Sequence, residues 1–409
     1  MWAHCSCRAW FIAFAPTRMS VFPLFLISFL LHAFVGWTVA PDLYAVHPTW
    51  GIALWVLLLL STLLLPMGFL GRRIARPVLS NVLTWLGLLC MGLGSSLFVL
   101  ALLREVALLA APGFEWLWPS VFSVAAVASF RVDTALMVPL LGLLVTLWGF
   151  SNARRTAAVV KVDVPIANLP AALQGFRIAQ ISDIHLGPTI KGPYLQRIVA
   201  RVNSLDADLV AITGDLVDGS VAELRDDVLP LVDLTSTHGS FFVTGNHEYY
   251  SGVHGWIDTL RGLGVRVLMN EHVLIHHHHD AKDPEPVTMV VAGVTDFGAH
   301  HFDKAQRSDP ALAMNGAPVD AVFKLLLAHQ PRSAQAAMQA GFDLQLSGHT
   351  HGGQFWPWNH FVRWQQPFTA GLHRLQSLWV YTSRGTGYWG PPKRFGAPSE
   401  ITLLRLVRA

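Results

Sequence analysis

The sequence predicts an α-helical membrane region followed by an α/β domain with buried sheets. The first observation is composition: the 409 residues are 52% hydrophobic and only 13% charged, against about 25% charged in typical globular chains. The second is that residues 21–150 carry most of this apolar excess. The third is that short apolar runs alternate with helical stretches from about residue 174 onward, a pattern typical of α/β folds.

Four apolar runs in the first part of the chain are each close to the ~20 residues that cross a hydrocarbon core. They are residues 21–40, 50–70, 82–103 and 133–150. Residues 105–130 are also apolar, but Pro112, Gly113 and Pro119 interrupt them. We expect an interfacial or re-entrant segment there, with a fifth span as the alternative.

Basic residues at the ends of the runs predict the orientation. Arg and Lys occur before the first run, between the second and third, and after the last, whereas the loop at 41–49 has none. Because cytoplasmic loops carry an excess of these residues, four spans place both termini and the α/β domain in the cytoplasm, at a plasma or inner membrane. Few ionisable groups lie inside the runs, which favours an anchor over a transporter.

These patterns divide the chain into four parts. They are an N-terminal segment (1–20), a membrane region of about four helices (21–150), a linker (151–173) and the α/β domain (174–409). Met1 and Met19 both remain possible starts. The formal net charge of +3 is too small to indicate a nucleic-acid partner, and no feature indicates a protein partner. A histidine run at 276–279 is expected in a polar loop.

Five polar blocks directly follow apolar strand-like runs in the α/β domain. They are "SDIHLG" (182–187), "TGDLVDG" (213–219), "TGNHEYY" (244–250), "LLAHQP" (326–331) and "LSGHTHGGQF" (346–355). An open α/β sheet places its ligand site at the carboxyl ends of its strands. A lone block of this kind is usually a turn, whereas five in succession predict one shared site.

The blocks contain seven potential metal ligands. The oxygen donors are Asp183, Asp215 and Asn246, and the nitrogen donors are His185, His329, His349 and His351. This mixed set suits Mn, Fe, Zn, Co or Ni rather than Ca or Mg alone. It also exceeds the needs of one tetrahedral ion and fits two ions sharing a carboxylate. Such a pair can activate water and hold the oxygens of a phosphoryl group.

The series D-x-H, G-D-x-x-D-G, G-N-H-E, a single H and G-H-x-H resembles the calcineurin-like metallophosphoesterase superfamily over residues 174–409. The apolar runs before it and the tail "SRGTGYWGPPKRFGAPSEITLLRL" resemble the subgroup of transmembrane proteins with a metallophosphoesterase domain. The resemblance implies a four-layer α/β/β/α sandwich, two divalent or trivalent metal ions and a phosphoester substrate attacked by activated water.

The resemblance also implies a role for each residue. The first ion would be bound by Asp183, His185, Asp215 and His351, and the second by Asp215, Asn246, His329 and His349. His247 would be the general acid for the leaving oxygen or a positively charged stabiliser of the transition state. Asp218 and Glu248 would orient ligand histidines or be turn residues.

Aromatic and basic residues near the last block suggest a substrate rim that meets the bilayer. They are Trp356, Trp358, Arg363, Trp389 and Arg394. We therefore expect a lipid-linked phosphoester, such as a UDP-diacylglucosamine-like molecule or a phospholipid. A packed aromatic lid is the alternative for these loops. A non-catalytic membrane metal sensor or scaffold, and a phosphodiesterase or nuclease for soluble substrates, are the alternatives for the function.

Overall fold

The computed structural model of the chain describes residues 21–118, 123–278 and 286–409. The expectations for the segment 1–20, for Pro119 and for His279 lie outside these ranges.

The first part of the described chain is a bundle of apolar helices. They are α1 (Phe22–Val46), α2 (Pro48–Leu64), α3 (Met67–Leu70), α4 (Pro77–Leu117) and α5 (Val124–Arg154). Among the described residues, four helical segments are long and apolar enough to cross a membrane: α1, the segment Pro48–Arg73, α4 and α5. Val39, Leu58, Leu97 and Val138 meet in the centre of the bundle. The region of about four spans is thus present as helices.

The predicted interruption of the apolar stretch at Pro112 and Gly113 is wrong, whereas an interfacial or re-entrant position of residues 105–130 stays a prediction. Helix α4 continues through Pro112 and Gly113 to Leu117, and α5 begins at Val124. The surrounding alanines and leucines are strong helix formers. Pro112 lies close to the end of α4, and membrane helices tolerate proline where the freed backbone groups find other partners. Residues 105–117 and 124–130 therefore belong to two long helices.

The second part of the chain contains two six-stranded sheets with helices on their outer faces. The strands are β1 (Ala158–Ile166), β2 (Arg177–Ile181), β3 (Leu209–Ile212), β4 (Ser240–Phe242), β5 (Arg266–Val267), β6 (Glu271–His277), β7 (Val287–Gly293), β8 (Phe323–Leu327), β9 (Leu344–Ser347), β10 (Gly371–Leu375), β11 (Leu378–Thr382) and β12 (Glu400–Arg408). The helices are α6 (Gly192–Asn203), α7 (Val221–Val228), α8 (Asn246–Tyr250), α9 (Val253–Gly262), α10 (Pro310–Ala313) and α11 (Ala334–Gln339).

The two sheets pack face to face. Their strand orders are β1-β12-β2-β3-β4-β5 and β10-β11-β9-β8-β7-β6. Ile178 and Phe241 of the first sheet share one buried cluster with Val291 and Leu325 of the second. Helices α6, α7 and α9 cover the outer face of the first sheet, and α10 and α11 cover that of the second. The expected four-layer α/β/β/α sandwich is confirmed.

The expected linker at 151–173 is partly wrong, because it contains a strand. Helix α5 ends at Arg154, and β1 pairs in parallel with β12 along its whole length. Val164 and Ile166 are buried between the sheets, so their burial stabilises the strand. The membrane helix therefore runs almost directly into the α/β domain.

The histidine run also differs from the expected loop. His276 and His277 end strand β6, where they pair with Thr288 and Val287 of β7. Cross-strand pairing thus prevails over the polar composition of the run.

The carboxyl ends of the parallel strands meet along one edge of the sandwich. Strands β2, β3 and β4 are parallel neighbours in the first sheet, as are β8, β9 and β11 in the second. Three of the five polar blocks begin just after β2, β3 and β4, and the other two begin in the last residues of β8 and β9. The fold thereby gathers candidate ligands as far apart in the chain as Asp183 and His351, which are 168 positions apart.

Candidate metal centre

The predicted donors form adjoining groups whose ligand atoms lie within 4.8 Å of one another. The groups are Asp183–His185–His351, His185–Asp215–His247 and Asp215–His329–His349. The first and the third correspond to the two ion sites expected from the sequence. The second shares His185 and Asp215 with them, and it adds His247 at their junction.

Asp215 lies between the two outer groups. Its Oδ2 is 3.1 Å from His329 Nε2 and 3.9 Å from His185 Nε2. His185 Nε2 is in turn 3.0 Å from His351 Nε2, and His351 Nε2 is 3.6 Å from Asp183 Oδ1. One carboxylate thus reaches both groups, as a bridging ligand must.

A main-chain hydrogen bond fixes the orientation of the His329 ring. Its Nδ1 is 2.7 Å from the carbonyl oxygen of Thr213, to which it donates. This leaves Nε2 facing Asp215 and the Nδ1 atom of His349, which is 3.2 Å away. The sequence did not single out Thr213, although it lies two residues before Asp215.

Asn246 supplies the observation that tests whether a metal fits. Its side-chain Oδ1 is buried, and no hydrogen-bond donor of the described residues reaches it. A buried acceptor without a partner costs about 1–3 kcal/mol, and a cation beside Asp215 would satisfy it. The mixed oxygen and nitrogen donors and this orphaned oxygen together fit transition-metal ions.

Five of the seven candidate ligands have a left-handed backbone conformation. They are Asp183 (φ 53°), His185 (φ 56°), Asp215 (φ 52°), His349 (φ 70°) and His351 (φ 51°). Each such residue costs of order 1–3 kcal/mol, and such strain clusters at functional sites. Glycines make room for the same turns: a Cβ on Gly348 would lie 2.2 Å from Asp183 Oδ2. The loops that carry the candidate ligands are therefore strained, and they meet at the candidate metal centre.

Asp218 joins His247 to His185. Its Oδ1 accepts from His247 Nδ1 at 2.6 Å and from His185 Nδ1 at 2.9 Å. Burial raises the pKa of Asp218, but the neighbouring histidines outweigh this and hold the pKa well below its usual range. Burial lowers the pKa of His247, yet Asp215 and Asp218 raise it to about 9. Because Nδ1 donates to Asp218, the other ring nitrogen, Nε2, lies on the opposite side of the ring.

Glu248 has a different task from the one expected. Its carboxylate accepts hydrogen bonds from main-chain nitrogens rather than from a ligand histidine. The donors are Gly245 (2.7 Å), Leu216 (2.8 Å), Asp215 (3.0 Å) and Val217 (3.3 Å). The side chain thereby joins the loop of Asp215 to the loop of Asn246 and fixes their spacing.

Burial keeps two of the histidines neutral. It lowers the pKa of His349, with a contribution from His329, to about 3. It also lowers the pKa of His351, with a contribution from Arg394, well below its usual value. Metal binding requires the neutral imidazole, so these rings are in the form that accepts a cation.

The predicted rim residues divide into two groups. Trp356, Trp358 and Trp389 are 41%, 41% and 45% exposed, and the Trp389 ring centroid is 5.8 Å from that of His247. Arg363 is exposed, and its Nε donates to the carbonyl oxygen of His360. Arg394 is 0% exposed, so its prediction as a rim residue is wrong. Its guanidinium is packed against main-chain carbonyls beneath the site.

Three further residues beside the site were not predicted. Tyr250 contacts His247 with ring centroids 5.4 Å apart, and its place in "GNHEYY" was the available signal. Phe69 contacts Trp389 at 6.4 Å between ring centroids, and Arg72 Nη1 donates to the carbonyl oxygen of Asp218 at 2.6 Å. Phe69 and Arg72 belong to the membrane region, and no sequence pattern connects them to the five polar blocks.

Comparison with known proteins agrees with this geometry. The family model of calcineurin-like phosphoesterases matches residues 176–353. The transmembrane protein with metallophosphoesterase domain of Danio rerio is 38% identical over 289 residues, which are 69% of this chain and 65% of that protein. The chain thus spans less than two thirds of that relative.

Two other similarities are shorter or more distant. An uncharacterized metallophosphoesterase of Aquifex aeolicus is 30% identical over 250 residues, which are 61% of this chain and 91% of that protein. A solved calcineurin-like phosphoesterase of Bacillus subtilis aligns with a TM-score of 0.35 at 15% identity, covering 52% of this chain and 82% of that one. By its motifs, its match to the family model and its identity to the Aquifex aeolicus protein, the chain belongs to the calcineurin-like phosphoesterase family.

Proposed function

We propose that the chain is a membrane-anchored, two-metal phosphoesterase that hydrolyses a phosphomonoester, phosphodiester or pyrophosphate bond of a lipid-linked substrate. The observation that carries the reaction class is the arrangement around Asp215. Its carboxylate lies between two histidine-containing groups, with His247 at their junction. That arrangement suits hydrolysis of a phosphoester, because Asp218 orients His247 through Nδ1 and leaves its Nε2 4.0 Å from Asp215 Oδ2, where it can act on a phosphoester bound beside the ions.

The chain's residues divide the chemistry between them. Two ions held by the predicted ligands would supply an activated water and neutralise charge on the phosphoryl oxygens. Asp218 holds His247 through Nδ1 at 2.6 Å, so the proton on Nε2 is available to a leaving oxygen. Glu248 fixes the two loops that carry Asp215 and Asn246. Preorganised groups of this kind need no rearrangement during the reaction.

Contacts between the site loops and the membrane helices support a lipid-linked substrate. Trp358 Nε1 donates to Ser95 Oγ of α4 at 3.0 Å. Trp389 touches His247 on one side and Phe69 of the membrane region on the other. A phosphoester at the bilayer surface would therefore contact Trp358 and Trp389, and Trp389 lies against the proposed general acid His247.

Replacing both Trp356 and Trp358 with alanine tests the lipid assignment. We expect hydrolysis of detergent-dispersed phospholipid or sugar-nucleotide lipid to fall about tenfold, because the lipid loses one or two aromatic contacts of ~1 kcal/mol each. Hydrolysis of soluble bis-p-nitrophenyl phosphate should be unchanged. The measurement is kcat/KM for both substrates with equally metal-loaded protein.

Trp37→Ala is the control, since Trp37 is an exposed tryptophan of α1 outside the site loops. The lipid assignment is wrong if the wild-type protein does not prefer the lipid form, or if the double variant loses both activities equally.

We further propose that the catalytic domain faces the cytoplasm of a plasma or inner membrane. Arg72, Arg73 and Arg76 lie between α2 and α4, and Arg154 and Arg155 lie at the end of α5. Arg72 and Arg154 contact the domain directly, through hydrogen bonds to the carbonyl oxygens of Asp218 and Thr189. Cytoplasmic loops carry such an excess of arginine. Protease added to sealed, right-side-out vesicles should leave the domain intact, and cleavage there would place it on the opposite side.

A further inference from the structure

Arg394 is a fully buried arginine whose side chain is enclosed by main-chain carbonyls. Its Nη1 donates to the oxygens of Arg384 (2.7 Å), His351 (2.9 Å) and Ala397 (3.3 Å), and its Nε donates to that of Gly387 (3.0 Å). A buried charge is costly unless it is hydrogen-bonded on all sides. The carbonyls therefore fix both the position and the direction of the guanidinium.

The same guanidinium also contacts the ring of a predicted metal ligand. Arg394 Nη2 lies 3.0 Å from His351 Nδ1. The opposite ring nitrogen, Nε2, faces His185 at 3.0 Å and Asp183 at 3.6 Å. A guanidinium cannot accept a hydrogen bond, so a ring that carries its proton on Nδ1 and binds an ion through Nε2 only packs against Arg394. The hydrogen bond that holds His351 is the one from Arg394 Nη1 to its main-chain oxygen at 2.9 Å.

The main chain of Arg394 rests on a membrane helix. Its nitrogen donates to the carbonyl oxygen of Gly149 in α5 at 2.9 Å, and its oxygen accepts from Asn152 Nδ2 at 3.3 Å. The preceding Lys393 donates through Nζ to the carbonyl oxygen of Gly92 in α4 at 2.9 Å. Hydrogen bonds therefore join the segment that carries Arg394 to both α4 and α5.

Gly149 leaves room for the Lys393 side chain in this close approach. A Cβ at Gly149 would lie 2.7 Å from Lys393 Cγ and 3.5 Å from the main-chain nitrogen of Arg394. A larger residue at position 149 would therefore force the Lys393 side chain to shift, directly beside the residue whose guanidinium holds His351.

We infer that Arg394 is a positioning residue that ties the ligand His351 to membrane helix α5, an inference that rests on the proposed two-metal site. The geometry of the first ion site is then set partly by the membrane region. Outer partners of metal ligands typically contribute 10–100-fold to metal affinity.

The test is cobalt(II) titration of the full-length protein in detergent, followed by calorimetry and visible absorption. Wild type should bind two ions. Arg394→Lys should keep one ion at wild-type affinity and bind the other about 10–100-fold more weakly, because one ammonium group cannot replace the guanidinium's hydrogen bonds to the carbonyls of Arg384, Gly387, His351 and Ala397. Arg405→Lys is the matched control, since Arg405 forms an exposed ion pair with Asp163, and it should retain both affinities.

A second pair of variants keeps the test decisive if Arg394→Lys does not fold. Gly149→Ala should selectively weaken the same ion. In Gly142→Ala the added methyl group also meets a side-chain carbon at 2.7 Å, but that carbon belongs to Leu97 inside the bundle, so both ions should be retained. Unchanged affinities in Arg394→Lys and Gly149→Ala, or equal weakening of both ions, would overturn the inference. Fewer than two ions in wild type would instead count against the proposed function.

Discussion

Asp215→Asn is expected to abolish hydrolysis. Asp215 Oδ2 lies 3.1 Å from His329 and 3.9 Å from His185, so its charge serves both proposed ion sites. An asparagine keeps the shape but removes the negative charge that a bridging ligand supplies. Losing metal-ion catalysis costs several kcal/mol, which corresponds to a rate loss on the order of 10³-fold or more. The measurement is kcat with a phosphodiester substrate, together with the metal content of the purified variant.

Asp163→Asn is the control for this experiment, because Asp163 is an exposed carboxylate paired with Arg405 on the domain surface. It should leave both turnover and metal content unchanged. The experiment also separates the enzyme from a non-catalytic sensor or scaffold. Wild-type protein with two ions but no turnover on a broad phosphoester panel would favour the scaffold, and an Asp215→Asn variant with full activity would exclude the bridging role.

His247→Gln is expected to reduce hydrolysis by about 10²–10⁴-fold for substrates with an alkyl leaving group, the usual contribution of a general acid. The loss should be much smaller for p-nitrophenyl esters, whose leaving group departs without protonation. Metal content should stay at the wild-type level, because the proposed ligands of both ions are intact. The measurement is kcat for matched alkyl and p-nitrophenyl substrates.

His373→Gln, on the exposed strand β10, is the control and should behave like wild type. An equal loss on both kinds of ester would assign His247 to stabilising negative charge in the transition state. Unchanged rates on both would contradict any catalytic role for this histidine.

The candidate site could be predicted from the sequence because its residues lie in short local motifs. Each ligand follows a buried apolar strand within a few positions, as Asp183 follows β2 and His349 follows β9. Parallel strands bring such positions to one edge of a sheet. The order of motifs was therefore enough to propose both the cluster and the layered fold.

The residues that the sequence reasoning missed or misplaced depend on contacts between distant segments. Arg394 resembled a rim residue because it lies among aromatic residues, yet its partner His351 is 43 positions away. The Phe69–Trp389 contact joins segments that no local pattern connects. Strand β1 was read as a linker because its partner β12 is the last strand of the domain. In all three cases the position of the residue or strand depends on packing against the membrane region or the last residues of the chain, which a local sequence pattern does not show.

The most direct test of the two-metal phosphoesterase is the metal content of the full-length protein, measured by mass spectrometry after saturation with manganese, iron, zinc, cobalt or nickel. Two ions per chain are expected with at least one of these metals, and phosphoester hydrolysis should rise as the second ion binds. At most one ion per chain with every metal, or hydrolysis that is complete with one ion bound, would contradict the account.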